Sequence, residues 1–333
     1  MKIDVPAILA GDRRMLARAI TMIESTRPED ETEADALLQQ VLPHTGRSVR
    51  IAVSGSPGAG KSTFIETFGT KLIQGGRKVA VLAVDPTSSI TGGSILGDKT
   101  RMSALAAHSS AFVRPSPSGG SLGGVNRRTR EVIWLVEAAG FDRIILETVG
   151  VGQSEIDAAG MTDFYLLVQL PNAGDELQGI KKGILEIADC IFVNKSDLDR
   201  ASALRSRSEL ESALHYQRPR TSGWHIEVIA GSALSGEGLD DLLAVISKFC
   251  EHQGYSNQDE KPPTGSLLHL RRCAQLTDWM HDRIKDGLLR SFYANPNVQS
   301  MLPELENQIS NGSLLVTDAF KKLFDAFLQG ARS

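Results

Sequence analysis

The chain has 333 residues, 41% apolar and 23% charged, the balance of an ordinary globular protein with room for one large domain and helical extensions. Against 36 Lys and Arg stand 40 Asp and Glu, and the net charge of −4 gives no reason to expect nucleic acid or an anionic membrane as a partner. Cys190, Cys250 and Cys273 are dispersed, so neither a disulfide framework nor a Cys/His zinc site is indicated. No apolar run reaches the roughly 18 residues that would suggest a membrane span. Asp4, Asp12 and Glu24 interrupt the N-terminal stretch, which argues against a signal peptide and makes cytoplasm the expected compartment.

In chain order, 7–24 places Ile8, Leu9, Leu16, Ile20 and Ile23 at roughly helical spacing, and 31–42 does the same with Ala34, Leu37, Leu38 and Val41. Two short amphipathic helices are expected to pack on the domain that follows. The expected organisation is an N-terminal helical extension over 1–46, a nucleotide domain over 47–254 and a C-terminal helical arm over 255–333.

Within 47–254, apolar strand patterns alternate with helical ones. The strands are Ile51–Val53, Val79–Val84, Ala111–Val113, Ile144–Leu146, Phe164–Val168, Cys190–Val193 and Ile226–Ile229. The main helices are Thr63–Gln74, Asn126–Ala139, Ser202–His215 and Leu239–Phe249. Such alternation predicts an α/β fold, a mostly parallel sheet flanked by helices, with ligands outside the carboxyl ends of the strands.

The first such end carries Ser54-Gly55-Ser56-Pro57-Gly58-Ala59-Gly60-Lys61-Ser62-Thr63. Strand, glycine-rich loop and helix is the setting of the phosphate-binding pattern G-x-x-x-x-G-K-[ST]. Gly55, Gly58 and Gly60 let backbone N–H groups, those of Pro57's neighbours and Ala59 among them, curl around a phosphate. Lys61 supplies a cation for the β/γ-phosphates, Ser62 a hydroxyl for Mg²⁺, and the helix opening at Thr63 adds its N-terminal dipole.

Further strand ends carry the other candidates. Glu147-Thr148-Val149-Gly150 offers a carboxylate near the metal and, at Gly150, an N–H for the γ-phosphate; Gln153 could orient water. Asp85 and Asp98 are possible further carboxylates for the metal, or an Asp-Pro turn and a helix N-cap. The charged loop Asp175–Gly183, with Gln178, Lys181 and Lys182, reads as solvated surface or as a third switch. Asn194-Lys195-Ser196-Asp197 is a guanine-reading arrangement. Asp197 can accept from the N1–H and exocyclic amine of guanine, a donor pair adenine lacks. Asn194 can tie the phosphate loop to the base loop, and the stem of Lys195 can lie along the base. Gly231-Ser232-Ala233-Leu234 supplies a second base element, with the Ala233 N–H aimed at guanine O6. GTP is therefore the expected nucleotide. Beyond a linker at 253–265, Ser266–Leu289, Pro303–Ile309 and Ser313–Leu328 are helical by pattern and rich in large apolar groups, which suits a homodimer contact.

Taken together, Gly55–Thr63, Ala83–Ser89, Gly97–Met102, Glu147–Glu155, Asp175–Gly183 and Asn194–Asp197 resemble the MeaB/ArgK family of G proteins that accompany adenosylcobalamin-dependent acyl-CoA mutases, the family of the methylmalonic aciduria type A protein. The resemblance implies a P-loop GTPase of the signal-recognition-particle-like class with helical extensions and a homodimer. It implies slow GTP hydrolysis to GDP, accelerated by the methylmalonyl-CoA mutase partner, that gates B12 cofactor loading and protects the mutase. It carries Mg²⁺ and switch roles to Ser62, Asp85, Asp98 and Glu147, and a third-switch role to the residues around Lys181. Two rivals have less support. An ATP-using transport-system kinase that phosphorylates periplasmic binding proteins conflicts with Asn194–Asp197. A nickel-insertion GTPase needs soft or imidazole ligands that this chain disperses.

Overall fold

The computed structural model describes residues 3–25, 27–84, 102–116, 124–148, 153–171, 182–215, 219–256 and 260–330. The chain forms two compact units, 1–273 and 274–333.

In the first unit, helices α1 (Val5–Leu9), α2 (Arg13–Ile23) and α3 (Pro28–Val41) precede the sheet. The strands and helices then alternate as β1 (Val49–Ser54), α4 (Lys61–Gln74), β2 (Val79–Val84), α5 (Ser103–Ala107), β3 (Ala111–Ser116), α6 (Gly124–Ala138) and β4 (Arg143–Thr148). They continue as α7 (Gln153–Ala159), β5 (Phe164–Gln169), α8 (Lys182–Ile187), β6 (Cys190–Val193), α9 (Arg200–Leu214), β7 (Glu227–Ala230) and α10 (Leu239–His252). All pairings are parallel, in the order β3-β2-β4-β1-β5-β6-β7. Parallel strands covered on both faces read as continuous apolar runs, which is why these segments carry few polar residues. All seven expected strands are present, β7 one residue later than the pattern indicated.

Side chains alternate between the two faces along each strand. Ile51 and Val53 of β1 join Phe64 and Phe68 of α4 and Phe249 of α10 in one core layer, while Ala52 faces Tyr165, Leu167 and the α9 side. A third cluster joins Leu82, Ile144 and Leu146 to Val132 and Val136 of α6 and to Ile8, Leu16, Ile20 and Leu37 of the N-terminal helices. Those helices thus pack on the nucleotide domain. The first of them was expected as one helix over 7–24. It is two, because Gly11 takes a left-handed backbone (φ 86°) and the Asp12 carboxylate caps α2, accepting from the N–H groups of Arg14 and Met15.

At the amino ends of the central strands β1 and β5, away from the nucleotide loop, lies a buried ion network. Arg272, in the first turns of α11 (Leu267–Ala294), donates to both Asp163 oxygens at 2.8 and 2.6 Å and to the carbonyls of Gly46 and Ser48. Arg50 makes a two-pronged contact with Glu137 at 2.9 and 3.0 Å, and the Arg50 N–H donates to Asp163. Burial opposes both carboxylates, but the guanidiniums outweigh it and hold Glu137 and Asp163 below their ordinary values of 4.5 and 3.8.

The second unit holds the rest of α11, then α12 (Pro296–Ser310) and α13 (Val316–Gly330). The helix expected from Pro303 starts at Pro296, capped by the Asn295 side chain, and runs through Pro303. No helix among the described residues is long and apolar enough to cross a membrane.

Removing one partner of a buried pair leaves an uncompensated charge, so Arg272→Ala is expected to cost about 3–5 kcal/mol, read as a lower urea midpoint. A carboxyl with a depressed folded-state pKa contributes fully above its unfolded value and loses that contribution as pH falls through the folded value. The wild type's advantage over Arg272→Ala should therefore be full above pH 4.5, the ordinary Glu137 value, and shrink on acidification. Equal urea midpoints for the two proteins would remove the network as a source of stability.

Candidate nucleotide site

The phosphate loop leaves the carboxyl end of β1, between β4 and β5. Its geometry admits only glycine at two positions. A Cβ on Gly55, where φ is 152°, would lie 2.0 Å from the Val168 carbonyl oxygen of β5. A Cβ on Gly60, the left-handed N-cap of α4, would lie 2.7 Å from Asn194 Nδ2. Pro57 and Gly58 are exposed at the tip, and Ala59 is buried at the base. Lys61 folds back over this loop, donating to the carbonyls of Gly55 at 2.6 Å and Ser56 at 3.1 Å. Burial pushes its ammonium below the ordinary value, and the carboxylates of Glu147 and Glu155 oppose that shift. Ser62 Oγ donates to Glu147 Oε1 at 3.1 Å, while Thr63 is exposed.

Asn194, at the end of β6, joins the two halves of the site. Its amide donates to the Ala59 carbonyl at 2.8 Å, and its side-chain oxygen accepts from the Ala233 N–H at 2.8 Å. The Ala233 N–H, expected to face guanine O6, donates in this structure to Asn194. Leu234 N–H, the next along, points to Ser232 Oγ at 3.2 Å. Asp197 is exposed, and its Oδ1 accepts from Ser232 Oγ at 2.5 Å, so the two base loops are bonded at their tips. Lys195 has a left-handed backbone, φ 64°, and its stem comes near Gly60.

The fold thus gathers Gly55–Thr63, Glu147, Asn194–Asp197 and Ser232–Leu234 at neighbouring strand ends. Asp85, Asp98, Gly150, Gln178 and Lys181 lie outside the described residues. Gln153 opens α7 and Lys182 opens α8, with only their backbones described. Among the described residues no cluster of three or more His, Cys, Asp or Glu could hold a metal.

Two carboxylates escaped the sequence reading. Glu155 is 1% exposed, and its Oε1 accepts from Ser54 Oγ at 2.9 Å. The available signal was its helical spacing with Ala158 and Ala159, which puts a charge on an inward face. Glu237 braces the base loops: its carboxylate accepts from Ser196 Oγ at 3.1 Å and pairs with Arg200, and its carbonyl accepts from Ser232 N–H. It sits between Gly236 and Gly238, both left-handed, a tight turn whose role only packing reveals.

The parallel sheet, with the glycine loop, Lys61 and Ser62 between β1 and α4, defines a P-loop nucleotide-binding protein. Over residues 16–297 the chain matches the model of the family described as methylmalonyl Co-A mutase-associated GTPase MeaB, and it belongs to that family. It is 47% identical over 320 residues to a putative GTPase of Caulobacter vibrioides, covering 96% of this chain and 95% of that one. It is 42% identical to the mitochondrial methylmalonic aciduria type A homolog of Mus musculus, covering 96% of this chain and 78% of the relative. A solved structure described as a LAO/AO transport system kinase superposes with a TM-score of 0.75 at 34% identity, covering 98% of this chain and 96% of that one. The enzyme is a GTPase, turning GTP into GDP and phosphate.

If Asp197 reads the guanine edge, Asp197→Asn should shift preference from GTP toward XTP, because the amide can donate to the xanthine carbonyl. Sites that pair hydrogen-bonding groups discriminate by about 10⁴-fold or more. Competition titrations measure it, and wild-type protein that binds ATP as well as GTP would exclude the guanine assignment.

Proposed function

We propose that this GTPase is the chaperone of an adenosylcobalamin-dependent acyl-CoA mutase, methylmalonyl-CoA mutase in the first instance, and that its nucleotide state gates cofactor loading and protects the mutase from inactivation. The observation that carries the proposal is the match of residues 16–297 to a family described by its association with that mutase, beside a built nucleotide loop. In that site a single side chain, Asn194, ties the phosphate loop to the base loop. The type A homolog among its relatives supports the same reading.

In this proposal Gly55–Thr63 hold the phosphates, with Lys61 on the β/γ oxygens, and Asn194, Lys195, Asp197 and Ser232–Leu234 hold guanine. The hard oxygen donors of Ser62 and Glu147, already bonded to each other, suit Mg²⁺. The ion would be held by the Ser62 hydroxyl and by Glu147, directly or through water, with Asp85 and Asp98 as further carboxylates. When bound it would offset phosphate charge. Gly150 and Gln153 would sense the γ-phosphate, and Gln178, Lys181 and Lys182 the partner.

The kinase description of the solved relative favours a second reading, phosphoryl transfer from ATP. The carboxylate of Asp197 argues against it, since adenine offers no matching donor pair.

Nucleotide and mutase must report to each other if the proposal holds. If a non-hydrolysable GTP analogue changes mutase affinity relative to GDP, the mutase must change the GTP/GDP affinity ratio by the same factor, a coupling of about 1–3 kcal/mol. Calorimetry on the purified pair measures both legs. Equal mutase affinity of the analogue-bound and GDP-bound forms would exclude nucleotide gating.

The C-terminal unit supports a homodimer. Leu276, Met280, Ile284 and Leu288 are exposed at four-residue spacing on α11, and Val316, Phe320, Phe324 and Leu328 repeat that spacing on α13. Light scattering should give twice the chain mass for the full protein and a single-chain mass once 274–333 are removed. A dimer that survives the deletion would put the contact elsewhere.

A further inference from the structure

Beneath the phosphate loop lies a buried cluster of polar side chains that the nucleotide-contacting residues do not use. Ser54, the last residue of β1, is fully buried, and its hydroxyl donates to Glu155 Oε1 at 2.9 Å. Oε2 of Glu155 is buried and has no hydrogen-bond partner among the described residues. The Tyr165 hydroxyl is buried beside Ser54 and Glu155, and burial pushes the phenol well above its ordinary value of 10.0. A carboxylate of this kind is costly to bury. Shape alone does not explain it, because a glutamine would fill the same space and accept the same Ser54 bond.

Two features give the charge a use. The first is electrostatic: Glu155 is one of the two carboxylates that oppose the effect of burial on the Lys61 ammonium. The second is mechanical: Glu155 lies in the first turn of α7, two residues after Gln153 opens that helix. The far end of α7 is held separately. Arg220 donates to the Ala159 carbonyl at 2.7 Å, and Arg130 donates to the Gly160 carbonyl at 2.7 Å. Cations at those carbonyls suit the negative end of a helix. With its C-terminus fixed, the helix has its start set against β1 by the Ser54–Glu155 bond.

We propose that Glu155 is a positioning residue for GTP hydrolysis. It touches no part of the nucleotide. It acts through Ser54 and Lys61 on the phosphate loop and through α7 on the placement of Gln153. Ground-state binding relies on the loop backbone, Lys61 and the base loops, to none of which Glu155 is hydrogen-bonded; its bond is to Ser54. Loss of its charge therefore slows turnover and leaves nucleotide affinity intact. Affinity can even rise, because one negative charge near the phosphates is gone.

The test is single-turnover GTP hydrolysis by the full chain, beside GTP and GDP affinities from calorimetry and an unfolding midpoint. Glu155→Gln keeps the shape and the Ser54 bond and removes the charge. The charge is lost beside Lys61 while the geometry is kept, so the expected rate loss is about 10- to 100-fold, each tenfold being about 1.4 kcal/mol of transition-state stabilisation. Affinity should hold within about threefold or tighten, the pattern of an interaction realised only in the transition state. A wild-type rate in Glu155→Gln overturns the proposal. So does a parallel fall of affinity, rate and midpoint, which would make the residue purely structural. Should Glu155→Gln not fold, Ser54→Ala decides: it removes the donor and keeps the carboxylate. Slower hydrolysis at unchanged affinity supports the proposal, and wild-type turnover in Ser54→Ala overturns it. The inference concerns turnover by the chain alone, so it stands or falls separately from the mutase partner.

Discussion

The Asn194 carboxamide is the interaction on which the site depends. One side chain, buried at the end of β6, uses its donor on the phosphate loop at Ala59 and its acceptor on the base loop at Ala233. A hydrogen-bonding group left unsatisfied in such a place costs about 1–3 kcal/mol, so the two loops hold one relative position. Gly60 is a glycine for the same reason, since any side chain there would meet the Asn194 amide. The close approach of Gly55 to Val168 gives the loop its second fixed point, on β5.

The two ends of the sheet use charge differently. At the amino ends of β1 and β5, Arg50, Arg272, Glu137 and Asp163 are mutually paired with nearly every oxygen bonded, an arrangement that holds elements together. It ties the second turn of α11 to the starts of β1 and β5. At the nucleotide end, the carboxylates meet hydroxyls of the phosphate loop and of the strand beneath it. Glu147 bonds Ser62, and Glu155 bonds Ser54 through one oxygen. Both carboxylates oppose the effect of burial on the Lys61 ammonium, so charge at this end acts on the cation of the phosphate loop.

The N-terminal helices and the base-loop brace extend these constraints outward. Ile8, Leu16, Ile20 and Leu37 complete the apolar layer over β2 and β4, so the extension is part of the core of the first unit. Glu237 links Ser196, Arg200 and Ser232, which makes the two base loops one braced body.

How much of this was legible beforehand depended on distance along the chain. Strand and helix character follows from local periodicity, and all seven strands were readable because a parallel sheet buried on both faces demands continuous apolar runs. The phosphate loop was readable because its Gly, Lys and Ser lie within one short segment whose backbone conformation few other residues allow. The segments Asn194–Asp197 and Gly231–Leu234 lie at neighbouring strand ends, as their places after β6 and β7 indicated. Asp12 as a helix cap, the left-handed Gly11 and the onset of α12 at Pro296 were missed where cap chemistry overrode the apolar pattern. The sequence by itself therefore determined the fold class, the order of the elements and the local nucleotide motifs. Only the tertiary structure decided that the Ala233 N–H faces Asn194, that Glu155 lies under Ser54 and that Arg272 reaches Asp163. Those contacts join residues 39, 101 and 109 positions apart, and a pattern read from neighbours in the chain carries no information about partners that only folding brings together.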